Sequence, residues 1–257
     1  MLAVVSPAKK LDTMPIERGV SPTQPVLLDD TEQLMKTTRR LRPGDLKELM
    51  GISDKLAELN HGRFQSFSTP FDTDNAKPAA FVFNGDVYLG LDAETLDDAA
   101  LSWSQDHLAI LSGLYGVLRP MDLIQPYRLE MGTRLKTGRG KDLYAFWGDR
   151  VTNRLQAQLA DHKDQTLVNL ASKEYFSVLQ PKALPGPVVT PAFKELRDGK
   201  LRMISFFAKR ARGRMARFMV EQRIDRPEGL KDFNLDGYSY DPELSDERTW
   251  TFTRPQP

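Results

Sequence analysis

Short runs of apolar residues, each ended by proline, glycine or polar residues, predict several buried strands. The first run spans residues 2–5 and stops before Pro7, which places Ser6 and Lys9 at the carboxyl end of a strand. Side chains at that position commonly build the sites of α/β folds. Further strands are predicted over residues 80–83, 86–89, 166–170, 187–191 and 201–206.

Longer segments with apolar residues at every third or fourth position predict helices. They cover residues 31–41, 45–50, 54–61, 95–112, 149–160, 174–179 and 208–223. With 257 residues, of which 40% are hydrophobic, the chain can bury a sizeable core and lies in the upper size range of one domain. We therefore predict a mixed α/β (α+β) fold in which residues 1–257 form a single compact domain.

The last predicted helix separates its apolar positions from its cationic ones. At about 100° per residue, five apolar side chains fall within one arc: Ala208, Ala211, Met215, Phe218 and Met219. Five basic side chains fall on the complementary arc: Lys209, Arg210, Arg212, Arg214 and Arg217. A face with one sign of charge indicates an anionic partner such as a nucleic-acid backbone, and a solvated face is the alternative.

The net charge of +1 conceals an uneven distribution of charge. Residues 119–141 contain six basic and two acidic side chains, and residues 200–217 contain seven basic and no acidic ones. These two segments together carry +11, so the remainder of the chain carries −10. Such a bipolar molecule is expected to attract a polyanion on one side.

Several classes of chemistry find no support in the sequence. Because the chain has no cysteine, disulfides, thiolate catalysis, thiol-based peroxide reduction and cysteine-ligated metal centres are excluded. Its three histidines, His61, His107 and His162, are far apart in the sequence, so we predict no metal site. The Gly113-x-x-Gly116 pair lacks the rest of a nucleotide-binding motif, and we predict no cofactor. A leader sequence and a long apolar segment are also missing, which predicts a cytoplasmic protein without a membrane partner.

The segment 111–131 combines charged residues with a constrained backbone. Two glycines and two prolines constrain it: Gly113, Gly116, Pro120 and Pro126. A rigid, irregular segment can hold charged groups in place and indicates a site. The alternative is an ordered structural connection, in which Arg119 pairs with Asp122 and Arg128 pairs with Glu130.

Polar residues at predicted strand ends and in rigid turns form a candidate cleft. If they converge, their cations can hold a phosphate or a carboxylate, with Lys9, Asp86 or Glu174 as acid or base. The common alternative for each carboxylate is a salt bridge to a neighbouring cation. The candidates are Ser6, Lys9, Asp86, Tyr88, Tyr115, Arg119, Tyr127, Arg128, Glu130, Lys141, Ser172, Glu174 and Lys209.

Residues 46–57 resemble a helix-hairpin-helix signature, in which a tight turn with glycine opens a second helix. Backbone amides at such a helix start can bind a phosphate, which predicts DNA contacts at Gly51, Ile52, Ser53 and Lys55. The segment departs from the signature, because Ser53 replaces a second glycine and the following aspartate adds negative charge. The alternative is a plain turn between two helices with Ser53 as N-cap.

Seven sequence blocks carry a resemblance to a known family. They are SPAK at 6–9, ISDKLA at 52–57, GDVYLGL at 85–91, LSGLYGVLRPMDLIQPYRLEMG at 111–132, GKDLYAFWGD at 140–149, NLAS at 169–172 and ISFFAKRARG at 204–213. By these blocks the chain resembles the YaaA family of bacterial proteins. The resemblance implies a cytosolic protein of the peroxide-stress response that limits damage by free iron and peroxide. It also implies a family-specific α/β fold, a basic cleft, a helix-hairpin-helix element and binding to duplex DNA, without an established reaction.

Two functions are therefore predicted, and the chain is treated as a monomer. The first is a stress protein that binds the backbone of duplex or distorted DNA through the basic face of residues 209–217, with the 51–55 turn as a further contact. The second is an enzyme acting on a phosphorylated or carboxylated small molecule in the polar cleft. A small, deep pocket around Lys9, Asp86, Arg128 and Lys141 would favour the enzyme, whereas an open groove would favour DNA. Iron sequestration is the weakest alternative, because no carboxylate cluster is present.

Overall fold

The fold is built on a mixed sheet whose central strands are parallel and buried. The structure is a computed structural model that describes residues 1–16, 19 and 21–255. Its strands are β1 (Leu2–Val5), β2 (Lys77–Pro78), β3 (Leu108–Ser112), β4 (Gly116–Leu118), β5 (Leu123–Ile124), β6 (Leu167–Leu170), β7 (Val188–Arg197), β8 (Lys200–Arg202), β9 (Ser239–Asp241) and β10 (Thr249–Pro255).

Ten α-helices are found in the described residues, and several of them are single turns. They are α1 (Leu28–Thr38), α2 (Pro43–Met50), α3 (Asp54–Ser66), α4 (Ala79–Val82), α5 (Asp86–Leu91), α6 (Asp98–His107), α7 (Leu143–Trp147), α8 (Arg150–Ala160), α9 (Lys173–Phe176) and α10 (Ser205–Glu221). Across residues 1–16, 19 and 21–255, no helix is long and apolar enough to cross a membrane.

In the main sheet the strands lie in the order β4-β3-β1-β6-β7-β10-β9, and β8 pairs with β7. Strand β1 is parallel to both β3 and β6, and β7 is parallel to β6 and β10. All four residues of β1 are fully buried, as expected for a strand covered on both faces. The prediction of a mixed α/β fold is confirmed, and one hydrophobic core runs through the described residues.

Two predicted strands are wrong. Residues 80–82 lie in the short helix α4, Phe83 is extended and forms an isolated bridge with Leu11, and residues 86–89 lie in α5. Each helix is only one or two turns long, which is too short for a period of 3.6 residues to be distinguished from a period of two. The structure therefore places Asp86 in the first turn of a helix and not within a strand.

Three other boundaries differ from the prediction. The predicted helix 95–112 begins later, with α6, and ends at His107, because the uninterrupted apolar run that follows it forms the buried strand β3. The strand predicted at 187–191 continues to Arg197, and the strand predicted at 201–206 ends at Arg202, shortly before α10 begins. Only at the junction of α6 with β3 does a helix pass directly into a buried strand without an intervening turn signal.

Helices α5 and α10 are packed so closely that only glycine fits at the contact. A Cβ atom at Gly213 would lie 1.8 Å from the carbonyl oxygen of Val87, and a Cβ at Gly90 would lie 2.4 Å from that of Arg210. The two backbones therefore touch directly. This contact sets the position of α10 relative to the start of α5, where Asp86 lies.

Replacing Gly213 by alanine should destabilise the protein. Because the new methyl group would overlap backbone atoms, we expect the free energy of unfolding to fall by about 2–3 kcal/mol, measured by urea denaturation. Gly62→Ala is the matched control, since Gly62 lies within α3 and its Cβ would meet open space. This control should be neutral or more stable by up to about 1 kcal/mol. Equal effects of the two substitutions would contradict the packing argument.

Two histidines that are distant in sequence meet at the amino-terminal edge of the sheet. The rings of His107 and His162 are 4.7 Å apart at nearly a right angle, and His107 stacks on Trp103. Burial, followed by the positive charge of the Met1 ammonium, lowers the pKa of both imidazoles. Both rings are therefore expected to be neutral near pH 7.

The lowered histidine pKa values predict a loss of stability in mild acid. Because the unfolded chain takes up protons near a pKa of 6.5 and the folded chain does so only at lower pH, stability should fall as the pH drops through that region. Urea unfolding at several pH values from about pH 7.5 to about pH 5.5 measures the slope of the free energy of unfolding against pH. The double variant His107→Gln, His162→Gln should show a smaller slope, and an unchanged slope would contradict the assignment.

Candidate functional site

A cavity of about 430 Å³ opens at the carboxyl ends of β1 and β6. We call it the polar pocket. The first turn of α5 and one side of α10 form its walls. Eight of the residues predicted for the cleft line it: Ser6, Lys9, Asp86, Tyr88, Glu130, Ser172, Glu174 and Lys209. The predicted convergence of these eight residues is therefore observed.

Hydrogen bonds between the carboxyl ends of β1 and β6 fix the base of the polar pocket. Val5 is the register partner of Leu170, so the residues that follow the two strands are adjacent. The backbone amide of Ser172 donates to Ser6 Oγ at 2.9 Å, and Ser6 Oγ lies 3.3 Å from Ser172 Oγ. The Tyr88 hydroxyl donates to the carbonyl oxygen of Ser6 at 3.1 Å. These bonds join β1, β6 and α5 at one point.

The carboxylates that line the pocket differ in their ion pairs and hydrogen bonds. Glu130 Oε1 lies 3.0 Å from Lys9 Nζ and 3.2 Å from an Arg128 Nη, so its charge is shared by two cations. Glu174 Oε1 accepts the Gly132 amide at 2.9 Å. Asp86 forms no hydrogen bond or ion pair with any described residue through its side chain, which leaves its carboxylate available at the pocket.

Tyrosines form the inner wall and the layer behind it. Burial, reinforced by Tyr127, raises the pKa of both Tyr88 and Tyr175 well above that of an ordinary phenol. Their hydroxyls therefore stay protonated and serve as hydrogen-bond donors and not as bases. Tyr127 bonds to Ser112 at 2.6 Å and stacks edge to face on Tyr115, so both lie in the core behind the pocket.

The basic face predicted for α10 is divided into two parts. Arg214 lies 3.5 Å from Asp236, and Arg217 is bound by Glu221 and by the backbone carbonyls of residues 91 and 92. These two guanidinium groups are thus neutralised within the protein. Lys209 and Arg212 instead line the polar pocket, while Arg210 is exposed on the surface.

Arg212 is the most unusual cation of the pocket. Its Nε atom is buried without a hydrogen-bond partner, and the guanidinium forms no ion pair with a described residue. Burial lowers the pKa of this guanidinium. A desolvated cation without a counter-charge raises the energy of the protein unless an anion binds beside it.

Five predicted cleft residues do not line the polar pocket. Tyr115 and Tyr127 lie behind it, Arg128 pairs with Glu130, and Arg119 and Lys141 lie elsewhere. Arg119 pairs with the buried Asp122 at 3.1 Å and lines a separate cavity beside His107 at the other end of the sheet. Lys141 is exposed and does not line the polar pocket. The alternative pairing of arginines with nearby carboxylates is thus observed for both pairs of the 111–131 segment.

Three polar residues of the pocket were not predicted from the sequence: Lys10, Asn84 and Tyr175. Each adjoins a predicted residue or block. Lys10 follows Lys9, Asn84 precedes the start of α5, and Tyr175 follows Glu174. The sequence therefore indicates these three segments of the chain correctly, but not every polar residue within them that lines the pocket.

The turn between α2 and α3 has the geometry of a tight interhelical turn. Gly51 takes a left-handed conformation with φ of 60°, Ile52 is buried, and Ser53 Oγ accepts the Leu56 amide as N-cap of α3. Gly51, Ser53 and Lys55 are exposed. Asp54 lies 2.8 Å from Lys47, which draws its carboxylate into an ion pair across the turn.

Comparisons with known proteins place the chain in a family. Residues 1–244 match the family described as peroxide stress protein YaaA. The chain is 53% identical over its whole length to a UPF0246 protein of Alteromonas mediterranea, covering 99% of that protein. It is 54% identical to a UPF0246 protein of Caulobacter vibrioides, with both chains covered completely. By these matches the chain belongs to the peroxide stress protein YaaA family.

Proposed function

We propose that this protein protects cytoplasmic DNA during peroxide stress by binding the backbone of duplex or distorted DNA at the mouth of the polar pocket. The observation that carries the proposal is Arg212, which lines the pocket, has a buried Nε atom without a hydrogen-bond partner and forms no ion pair with a described residue. Lys209 lies on the same wall and is exposed, and Arg210 beside it is free on the surface. Together they supply a basic cleft that fits phosphate.

The size of the pocket determines how DNA would lie. A cavity of about 430 Å³ is in the range of small-ligand sites, and it is too small to admit a double helix. The duplex would therefore lie across the mouth, with one phosphate directed toward Arg212. Contacts of this kind depend on charge and not on base sequence.

The turn between α2 and α3 would offer a second contact with the DNA backbone, in the manner of a helix-hairpin-helix element. Its exposed Gly51 permits close approach of a phosphate to the amides that begin α3, and Lys55 is exposed one turn further on. The ion pair of Asp54 with Lys47 reduces the repulsion that the aspartate would exert.

Phosphate binding also provides a route to lower iron-dependent damage. Cations condense along the DNA backbone, and ferrous ions are among those that can react with peroxide there. A protein that neutralises phosphates releases the condensed cations. Bound protein would thus reduce the amount of iron held at the DNA surface, where radicals are most harmful.

Charge reversal at the mouth should weaken DNA binding and its salt dependence. For the double variant Lys209→Glu, Arg210→Glu, we expect an affinity for DNA that is at least tenfold lower at low salt. We also expect the slope of the logarithm of affinity against the logarithm of salt concentration to be smaller in magnitude by about 2. Fluorescence anisotropy with labelled duplex DNA over a salt series measures both quantities. The control Lys182→Glu, Arg248→Glu makes the same charge change at exposed positions outside the pocket. Equal losses in the two variants would contradict a specific surface.

The free carboxylate of Asp86 favours a second candidate function, an enzyme acting on a phosphorylated or carboxylated small molecule. Arg212 and Lys209 would bind the anionic group, and Asp86 would accept a proton from the substrate. Both functions use the same anion site. They differ in whether the ligand enters the cavity or lies across its mouth.

A small ligand should stabilise the protein through Arg212. Inorganic phosphate or a nucleoside monophosphate, at about a hundred times its dissociation constant, should add about 2.7 kcal/mol of stability and raise the melting temperature. Arg212→Gln should abolish this rise. Arg210→Gln, an exposed arginine of the same helix outside the pocket, should retain it. If none of these anions shifts the melting temperature of the unaltered protein, the enzyme proposal fails.

A further inference from the structure

Helices α5 and α10 bring two groups of opposite charge to the polar pocket. The two backbones touch where Gly213 meets the carbonyl oxygen of Val87. The residues that precede these two, Arg212 and Asp86, both line the cavity. Neither side chain forms a hydrogen bond or an ion pair with a described residue. A positive and a negative group are therefore neighbours in the fold without compensating each other.

This arrangement is unfavourable for the protein alone. A charged group that is partly removed from water without a partner raises the free energy of the folded state, and the Nε atom of Arg212 is buried. Because the glycine contact fixes the two helices relative to each other, they cannot shift to bring the two groups together. A ligand that lies between Arg212 and Asp86 can supply the partner that each of them lacks.

The remaining charges of the pocket do not favour a ligand of one sign. Lys10 and Lys209 are exposed, and Glu174, bonded to the Gly132 amide, has no cation partner among the described residues. A ligand with negative charge alone would leave the unpaired carboxylates uncompensated. Basic and acidic side chains are almost equal in number around the cavity: Lys9, Lys10, Lys209 and Arg212 against Asp86, Glu130 and Glu174. This balance favours a ligand that carries both signs of charge.

We propose that the polar pocket binds a small zwitterion, with its carboxylate or phosphate at Arg212 and its ammonium group at Asp86. The inference rests on the small-molecule function proposed above and names its substrate class. A guanidinium can bind either oxyanion through two parallel hydrogen bonds, and a carboxylate accepts hydrogen bonds from an ammonium group. An α-amino acid carries the carboxylate form of this pair of charges, and O-phosphoethanolamine carries the phosphate form.

Apolar residues provide room for the hydrocarbon part of the ligand. Pro7, Ala8, Val87 and Leu170 also line the cavity. A volume of about 430 Å³ is larger than the charged groups of an amino acid require. Contact with this apolar surface adds to the affinity. Among α-amino acids, those with a large apolar side chain should therefore bind more tightly than glycine.

The test begins with the melting temperature of the full-length protein in the presence of each standard amino acid and of O-phosphoethanolamine. The strongest stabiliser is then compared by calorimetric titration with two analogues, one without the amino group and one without the oxyanion. For leucine these analogues are isocaproate and isoamylamine. Loss of either charged group should weaken binding at least tenfold, as expected for hydrogen bonds between charged groups. A larger effect of O-phosphoethanolamine than of any amino acid would assign the phosphate form of the ligand.

Two variants should each lose one part of this recognition. Asp86→Asn should bind the zwitterion and its deaminated analogue with similar affinity, because the ammonium group loses its charged partner. Arg212→Gln should bind the zwitterion no more tightly than the amine. The controls Glu58→Gln and Arg210→Gln change exposed residues outside the pocket and should keep the original affinities. A folding defect would instead weaken the binding of all three ligands to the same extent.

The failure of the inference differs from the failure of the function on which it rests. If no zwitterion binds while phosphate or a nucleoside monophosphate still stabilises the protein through Arg212, the inference is overturned and the small-molecule function stands. The inference is also overturned if Asp86→Asn weakens the zwitterion and its deaminated analogue equally. If neither zwitterions nor anions bind, the small-molecule function fails together with the inference.

Discussion

The parallel pairing of β1 with β6 is the constraint on which the polar pocket depends. Val5 lies opposite Leu170, so both strands end at the same level of the sheet. Only in this register can the Ser172 amide reach Ser6 Oγ at 2.9 Å. A shift by one residue would turn every side chain of the fully buried strand β1 to the opposite face, and the apolar covering on both faces fixes the strand in place.

The glycine contact between α5 and α10 determines what the pocket can bind. Because the two backbones touch at Gly213 and Gly90, the neighbouring Arg212 is held at the pocket wall with its Nε atom buried. One turn further along the same helix, Arg217 is surrounded by carboxylate and carbonyl oxygens. The same type of residue thus has two environments, and only the one at Arg212 leaves a positive charge for a ligand.

The sequence predicts those features that are local in the chain. Uninterrupted apolar runs correctly predict β1 and β6, and short spacing correctly predicts the pair Arg119–Asp122. The helices α4 and α5 are too short to show a helical period. The partner of Arg214, Asp236, is distant in sequence, and so are the two histidines that meet at the edge of the sheet. No local pattern could reveal these contacts, because tertiary packing alone brings the residues together.

The charges of the polar pocket finally indicate which part of a ligand each wall can bind. Glu130 is already paired with Lys9 and Arg128, so its carboxylate compensates one of these two positive charges. Among the described residues, neither Arg212 of α10 nor Asp86 at the start of α5 has an ion-pair partner. A phosphate diester of DNA is attracted by Arg212 and repelled by Asp86, so it would stay at the mouth. A small phosphorylated molecule with a proton-donating group would gain from both and could enter. The free carboxylate of Asp86 is therefore the feature that separates the two functions.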